Sequence, residues 1–196
     1  RRVLFRSNRG TLLAFDCAGA ACSVVAWRAG RALARRGRAM THGHAEALVP
    51  MIQATLDDAG VAFDGLAAVA TTLGPGSFTG LRAGLATARG LALATGLPCY
   101  GVSTLEVAAR AVAPAERAGR RIVAAIDTRR DDLFLQVFDA EFVATGDAQV
   151  ATIDGAAAML TGVSVVLTGD ATAALAERLR LAGSDAIVAA KAGLLD

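Results

Sequence analysis

The chain has 196 residues, 54% of them hydrophobic and 19% charged, which is enough apolar material for one large core or two small ones. No apolar run reaches membrane-spanning length without a Gly, Arg or Asp inside it, so a membrane partner is not expected. The net charge of +2 rests on Arg1, Arg2, Arg6 and Arg9, and removing these four turns it into −2; the body is near neutral and has no charge basis for binding nucleic acid by itself.

Residues 1–9 show no periodicity, and residues 1–10 are expected to be a disordered or non-native leader outside the fold. Thr11–Asp16 reads as a buried strand closed by Asp16, and Cys17–Ala21 as a turn of small residues. Cys22–Trp27 and Ala32–Arg38 read as two further strands, the second at a sheet edge because of its arginines. The three cysteines (Cys17, Cys22 and Cys99) form no CxxC pair and follow no signal peptide, so reduced thiols and a cytoplasmic location are expected. Ala45, Leu48, Ile52, Leu56 and Ala59 recur at helical spacing and predict a helix over Gly43–Ala59. A start near Glu46 would leave Pro50 in the first turn. Leu66–Thr72 is an apolar strand, followed by a Gly-rich turn and a helix over Thr79–Thr95. Gly96-Leu97-Pro98 ends that helix. Pro98–Val102 is the next strand, and Ser103-Thr104-Leu105-Glu106 has the spacing of a capping box.

The second half repeats the order. It predicts strands at Arg121–Asp127, Leu133–Asp139 and Glu141–Val150, a helix at Ile153–Leu160, a strand at Ser164–Thr168 and a helix at Ala171–Ala182. Asp16 and Asp127, 111 residues apart, close the first strand of each half. Three strands, helix, strand, helix, given twice, predicts an α/β protein of two ribonuclease H-like halves, with mixed sheets flanked by helices. The expected domains are 11–102 and 103–196.

Gly74-Pro75-Gly76-Ser77-Phe78-Thr79-Gly80-Leu81-Arg82 is the most informative segment. Its glycines and proline specify a rigid turn that delivers the chain into a helix start, with Thr79 as the expected N-cap. The spacing is neither a Walker loop nor a dinucleotide fingerprint. Ser77 and Thr79 have no histidine in a triad context, so a nucleophilic role is not supported. In the helix that follows, Gly80, Gly84 and Ala88 form one small-residue row and Ala86, Gly90 and Ala94 another. One row is expected to pack on the chain's own sheet. The Gly80, Gly84 and Ala88 row, with Glu46, Leu48 and Met51 of the preceding helix, is taken as the candidate partner surface. His42 and His44 are two apart and diverge on a helix, so no metal site is expected. Asp16 reads either as a cap of its turn or as a nucleotide and Mg²⁺ ligand. Asp127 and Arg129, in Asp127-Thr128-Arg129, carry the same two readings.

The nine-residue motif, continued by Ala83-Gly84-Leu85-Ala86-Thr87-Ala88-Arg89-Gly90-Leu91-Ala92, resembles the TsaB (YeaZ) family, the dimerisation subunit of bacterial tRNA threonylcarbamoyladenosine synthesis. The resemblance runs from about Thr11 to about Phe138. It implies the actin/Hsp70/sugar-kinase superfold and a non-catalytic subunit that binds a catalytic TsaD-like partner and works with a TsaE-like ATPase. On that reading tRNA is met only through the complex, and Asp127 and Arg129 are carried over as family positions; a homodimer through the same helices when the partner is absent is a third, structural option. No cofactor is assigned, and a nucleotide at the subunit junction is left open. Family members run longer, so the second domain is expected to be truncated. The alternative is an autonomous ATP-binding phosphotransferase or ATPase of the same superfold, using Asp16 and Asp127 around Mg²⁺.

Overall fold

The computed structural model describes residues 10–191, so the expected leader at 1–9 lies outside the described residues. The described residues divide into two compact units, with the boundary between Val102 and Ser103. In the first, β1 (Thr11–Asp16), β2 (Ala21–Arg28) and β3 (Arg31–Ala39) form an antiparallel meander. Helix α1 (His44–Ala59) then crosses to β4 (Leu66–Thr72), and α2 (Phe78–Thr95) crosses to β5 (Cys99–Val102). β4 lies parallel to β1, and β5 parallel to β4. The strand order is β3-β2-β1-β4-β5, with β3 at the edge. Alternate residues of β1 and β2 (Leu13, Phe15, Val24 and Ala26) are buried under Leu48, Ile52 and Leu56 of α1 and Ala88 of α2. The period-2 pattern of the strands thus meets the helical stripe of α1 on one sheet face.

The second unit opens with α3 (Thr104–Arg110) and α4 (Pro114–Arg117), then repeats the topology. β6 (Arg121–Asp127), β7 (Asp132–Phe138), β8 (Gln149–Thr152), α5 (Ile153–Leu160), β9 (Val165–Thr168), α6 (Thr172–Leu181) and β10 (Ala186–Val188) give the order β8-β7-β6-β9-β10. Ile122–Ile126 of β6 are all buried, because both faces are covered. α5 and α6 pack over Val123 and Ala125, and α3 packs over Ile122, Ala124 and Ile126. A doubly covered strand reads as a continuous apolar run. Each unit is a ribonuclease H-like half with a mixed sheet and flanking helices, as the order of elements predicts.

Four local expectations are corrected. Pro50 lies well inside α1, which begins at His44 rather than near Glu46. Residues 141–148 are not a strand: Asp139 accepts the N–H groups of Glu141 and Val143, and Phe142 turns at φ 63 beneath Arg110 and Arg117. The third strand of this half is therefore the short β8. Ser103 precedes α3, but its side chain caps nothing, and Glu106 pairs with Arg110 one turn on. The cap of α2 is Ser77, whose Oγ accepts the Gly80 N–H, and not Thr79.

Candidate functional site

At the C-terminal ends of β1 and β4, the first hairpin turn and the Gly-rich segment are built against each other. β1 ends in Asp16 and β4 in Thr72. One carboxylate oxygen of Asp16 accepts both the Thr72 hydroxyl and the Ala18 N–H, the latter at 3.1 Å. Burial pushes the pKa of Asp16 above the usual carboxylate range, opposed by the bonds from Thr72 and Ala18. Its carboxylate is thereby committed to the turn.

The Gly74–Pro75 peptide bond is cis. Beyond it the chain returns so that the Ser77 N–H donates to Ala18 O at 2.7 Å. Two glycines permit this approach. A Cβ on Gly76 would lie 2.3 Å from Ala18 O, and one on Gly80 would lie 1.9 Å from Cys17 O. No side chain fits at either place, and the neighbours are backbone that cannot turn aside. The Cys17–Ala18 backbone is therefore the seat on which the motif rests. Within the motif, Gly80 is buried; Phe78, Thr79 and Arg82 are exposed, and the Arg82 guanidinium lies 3.9 Å from the Phe78 ring centroid. Leu81 is half-buried, and a Cβ on Gly74 would lie 3.0 Å from its side chain. No ion pair joins Arg82 to Glu46 among the described residues.

The small-residue rows sort by burial. Gly80, Gly84 and Ala88 face inward, and a Cβ on Gly84 would lie 3.2 Å from Thr71 Oγ1. Leu48 is 0% exposed and Met51 packs against the same core. Placing Gly80, Gly84, Ala88 and Leu48 on a partner surface is therefore corrected: they hold α1 and α2 to their own sheet. Ala86, Gly90 and Ala94 form the outer row. On the same helix Leu93 is 89% exposed and Phe78 68%; on α1, Val49 is 57% exposed and Glu46 is exposed as well. The amphipathic stripe alone did not tell which glycine row faced inward, since both rows consist of equally small residues.

His44 is buried at the first position of α1 with Nε2 unpartnered, while His42 Nδ1 meets Thr41 Oγ1 at 2.9 Å. No group of three metal-ligating side chains converges among the described residues. In the second unit, Asp127 Oδ1 accepts the Arg129 N–H at 2.7 Å, which holds Arg129 at φ 66. Asp170 Oδ1 accepts the Asp127 N–H at 2.8 Å, and the Arg129 guanidinium reaches Asp127 and Asp170 at 3.5 and 3.6 Å. Asp170, unmarked by any sequence motif, is the residue that sequence reasoning missed. It follows Gly169, whose Cβ would sit 2.1 Å from Ala125 O, so β9 ends against β6 as the motif turn ends against β1.

The duplicated half defines a protein of the actin/Hsp70/sugar-kinase superfold. A hexokinase of Thermus thermophilus shares that fold with a TM-score of 0.52 at 16% identity. The family model described as TsaD, tRNA N6-adenosine threonylcarbamoyltransferase, matches residues 38–182. The TsaB protein of Escherichia coli is 39% identical over 123 residues, covering 63% of this chain and 52% of that protein. Two solved structures from Pseudomonas aeruginosa are similar over most of their length. One, an uncharacterised protein with similarity to peptidase YeaZ, has a TM-score of 0.79 at 32% identity, covering 94% of this chain and 85% of its own. The other, YeaZ, has 0.73 at 34%, covering 82% and 76%. The chain belongs to the TsaB (YeaZ) family. It spans about half the length of the curated relatives it matches.

Proposed function

We propose that the chain serves tRNA threonylcarbamoyladenosine synthesis as a non-catalytic subunit that docks on a TsaD-like catalytic subunit and holds it competent. The observation that carries this reading is the division of labour on α2. Its inner glycines fix it to the hairpin turn and to β4, and its outer row of Ala86, Gly90 and Ala94 leaves a low surface beside exposed Leu93 on the same helix. Small residues in a row let a second helix approach closely, and exposed apolar side chains at its margin favour burial against a partner. The groups that chemistry would need are already engaged: Ser77 caps a helix, and Asp16 and Asp127 each hold a turn. A TsaE-like ATPase joins on this reading, tRNA is met through the complex, and the same face pairs two copies when the partner is absent.

The test is reconstitution with the catalytic subunit of the source organism. Threonylcarbamoyl transfer to tRNA should require both chains, and this chain alone should transfer none. Transfer by this chain alone, or full transfer without it, contradicts the reading. Isothermal titration with Mg-ATP tests the phosphotransferase alternative, which predicts tight binding and turnover by the isolated chain.

A further inference from the structure

Cys17 and Cys22 face each other across the first hairpin. The β1–β2 register ends at Asp16 opposite Ser23, so these two follow as the next facing positions. Their Sγ atoms are 3.3 Å apart, both side chains are buried, and both are free thiols. Directly opposed residues of an antiparallel pair have Cα atoms about 4.5–5.5 Å apart, which lies inside the range a disulfide spans. Closing the sulfurs to about 2.05 Å asks for a movement of about 1.3 Å, shared between side-chain rotation and a shift of the two facing backbones. No third metal-ligating group joins them among the described residues, so a metal centre is not the better reading. Cys99 is the only other cysteine and is exposed.

We propose that Cys17 and Cys22 are a reversible dithiol–disulfide pair whose oxidation is felt at the start of α2. The coupling is geometric. Cys17 O lies against Gly80 with no room for a methyl group, and Ala18 O holds the Ser77 N–H. A bond that draws Cys17 toward Cys22 moves the seat of the motif. The pair is also polarised. The hydrogen bond from Cys17, helped by Arg38, pushes the Cys22 thiol down, and that same bond together with burial pushes the Cys17 thiol up. Cys22, which stands opposite Arg38 in the β2–β3 register, is assigned as the attacking sulfur.

With a small peroxide as oxidant, the Cys22 thiolate attacks one oxygen. The S–O bond forms and the O–O bond breaks. Hydroxide leaves and takes up the proton that the thiol has shed, giving water and a Cys22 sulfenic acid. The Cys17 sulfur then attacks Cys22. The S–S bond forms, the S–O bond breaks, and the departing hydroxyl takes the Cys17 proton as a second water. The two thiols lose two electrons and one hydrogen peroxide gains them. Access requires opening at the hairpin tip, where Ala20 is exposed and Gly19 half-buried.

The experiment uses the full chain carrying Cys99→Ser, treated with hydrogen peroxide, alkylated after denaturation and cleaved at arginine. The peptide Gly10–Arg28 contains both cysteines. It should lose two hydrogens, resist alkylation and recover both thiols with dithiothreitol, while circular dichroism shows the fold retained. Amide exchange at Ser77 and Gly80 should change by about tenfold or more between the two states. In Cys17→Ser/Cys99→Ser the sulfenic acid should persist at Cys22 and be captured by dimedone. Two alkylatable thiols after peroxide, or sulfinic acid in place of the disulfide, overturns the pair. Unchanged exchange at Ser77 and Gly80 in the oxidised chain overturns the coupling, and no dimedone adduct overturns Cys22 as the attacking thiol.

Discussion

Two glycines ten residues apart on α2 should respond to the same substitution with opposite signs. At Gly80 an added methyl group would lie 1.9 Å from Cys17 O and 3.0 Å from Cys17 C. Real Cβ atoms essentially never come within 3.0 Å of a heavy atom, so α2 and the hairpin must part by about 1.1 Å. Both sides of the contact are backbone, and no flexible side chain can yield. The separation weakens the bond from Ser77 N–H to Ala18 O and the packing beside it. Overpacking of this kind, with a buried hydrogen bond disturbed, gives a loss of about 3 kcal/mol for Gly80→Ala. At Gly90 nothing lies within 4 Å of the added carbon, so only the helix propensity changes, and Gly90→Ala should gain about 1 kcal/mol. The assay is urea unfolding of the full chain followed by the fluorescence of Trp27, the single tryptophan, which stands on β2 of the same unit. With a urea slope of about 2 kcal/mol per molar, the two variants should have midpoints about 2 M apart, on either side of the parent. Coincident midpoints, or a Gly80→Ala chain as stable as the parent, would refute the seat described for the motif.

Other substitutions separate the roles of neighbouring residues. Leu48→Ala should destabilise the first unit by about 3 kcal/mol, because Leu48 is wholly enclosed and leaves a cavity; a loss of docking without a loss of stability in the Trp27 unfolding curve would contradict that placement. Asp16 titrates higher in the folded chain than in the unfolded one. The folded state therefore holds the proton longer, and the stability this gives is present below pH 3.8 and lost as pH rises through the folded value. Asp16→Asn keeps an acceptor for Ala18 and Thr72 without the buried charge. It should be at least as stable as the parent at pH 7, and the gap between the two should close on acidification; a variant that weakens as pH rises would show that the charge is needed. Asp170→Ala should speed hydrogen exchange at the Asp127 amide, which loses its acceptor, whereas Arg129→Ala, removing only two long ion pairs of an exposed guanidinium, should not.

Much of the fold was legible because its strands announce themselves. The run of β4 and the all-buried stretch of β6 are apolar enough that no helix reading competes, and the glycine-rich turn can only be a turn. The recurrence of Asp at the ends of β1 and β6 exposed the duplication. What was not legible depended on contacts between distant segments. Ser77 rather than Thr79 caps α2 because the backbone returns to Ala18, a pairing across 59 residues. Residues 141–148 carry enough β-branched and apolar side chains to suggest a strand, but the Asp139 side chain and the stacking of Arg110 and Arg117 over the Phe142 ring bend the chain instead. The facing of Cys17 and Cys22 follows from hairpin register, which a five-residue spacing does not disclose.

On the proposed function, the outer face of α2 is the docking surface. Leu93 is 89% exposed there, so Leu93→Asp should leave the Trp27 unfolding curve unchanged within about 0.5 kcal/mol. The direct measurement is gel filtration of the full chain, parent and Leu93→Asp, mixed with the tRNA N6-adenosine threonylcarbamoyltransferase of its own organism. The account predicts co-elution of the parent and separate peaks for the variant. Co-elution of the variant at the parent's level would contradict it.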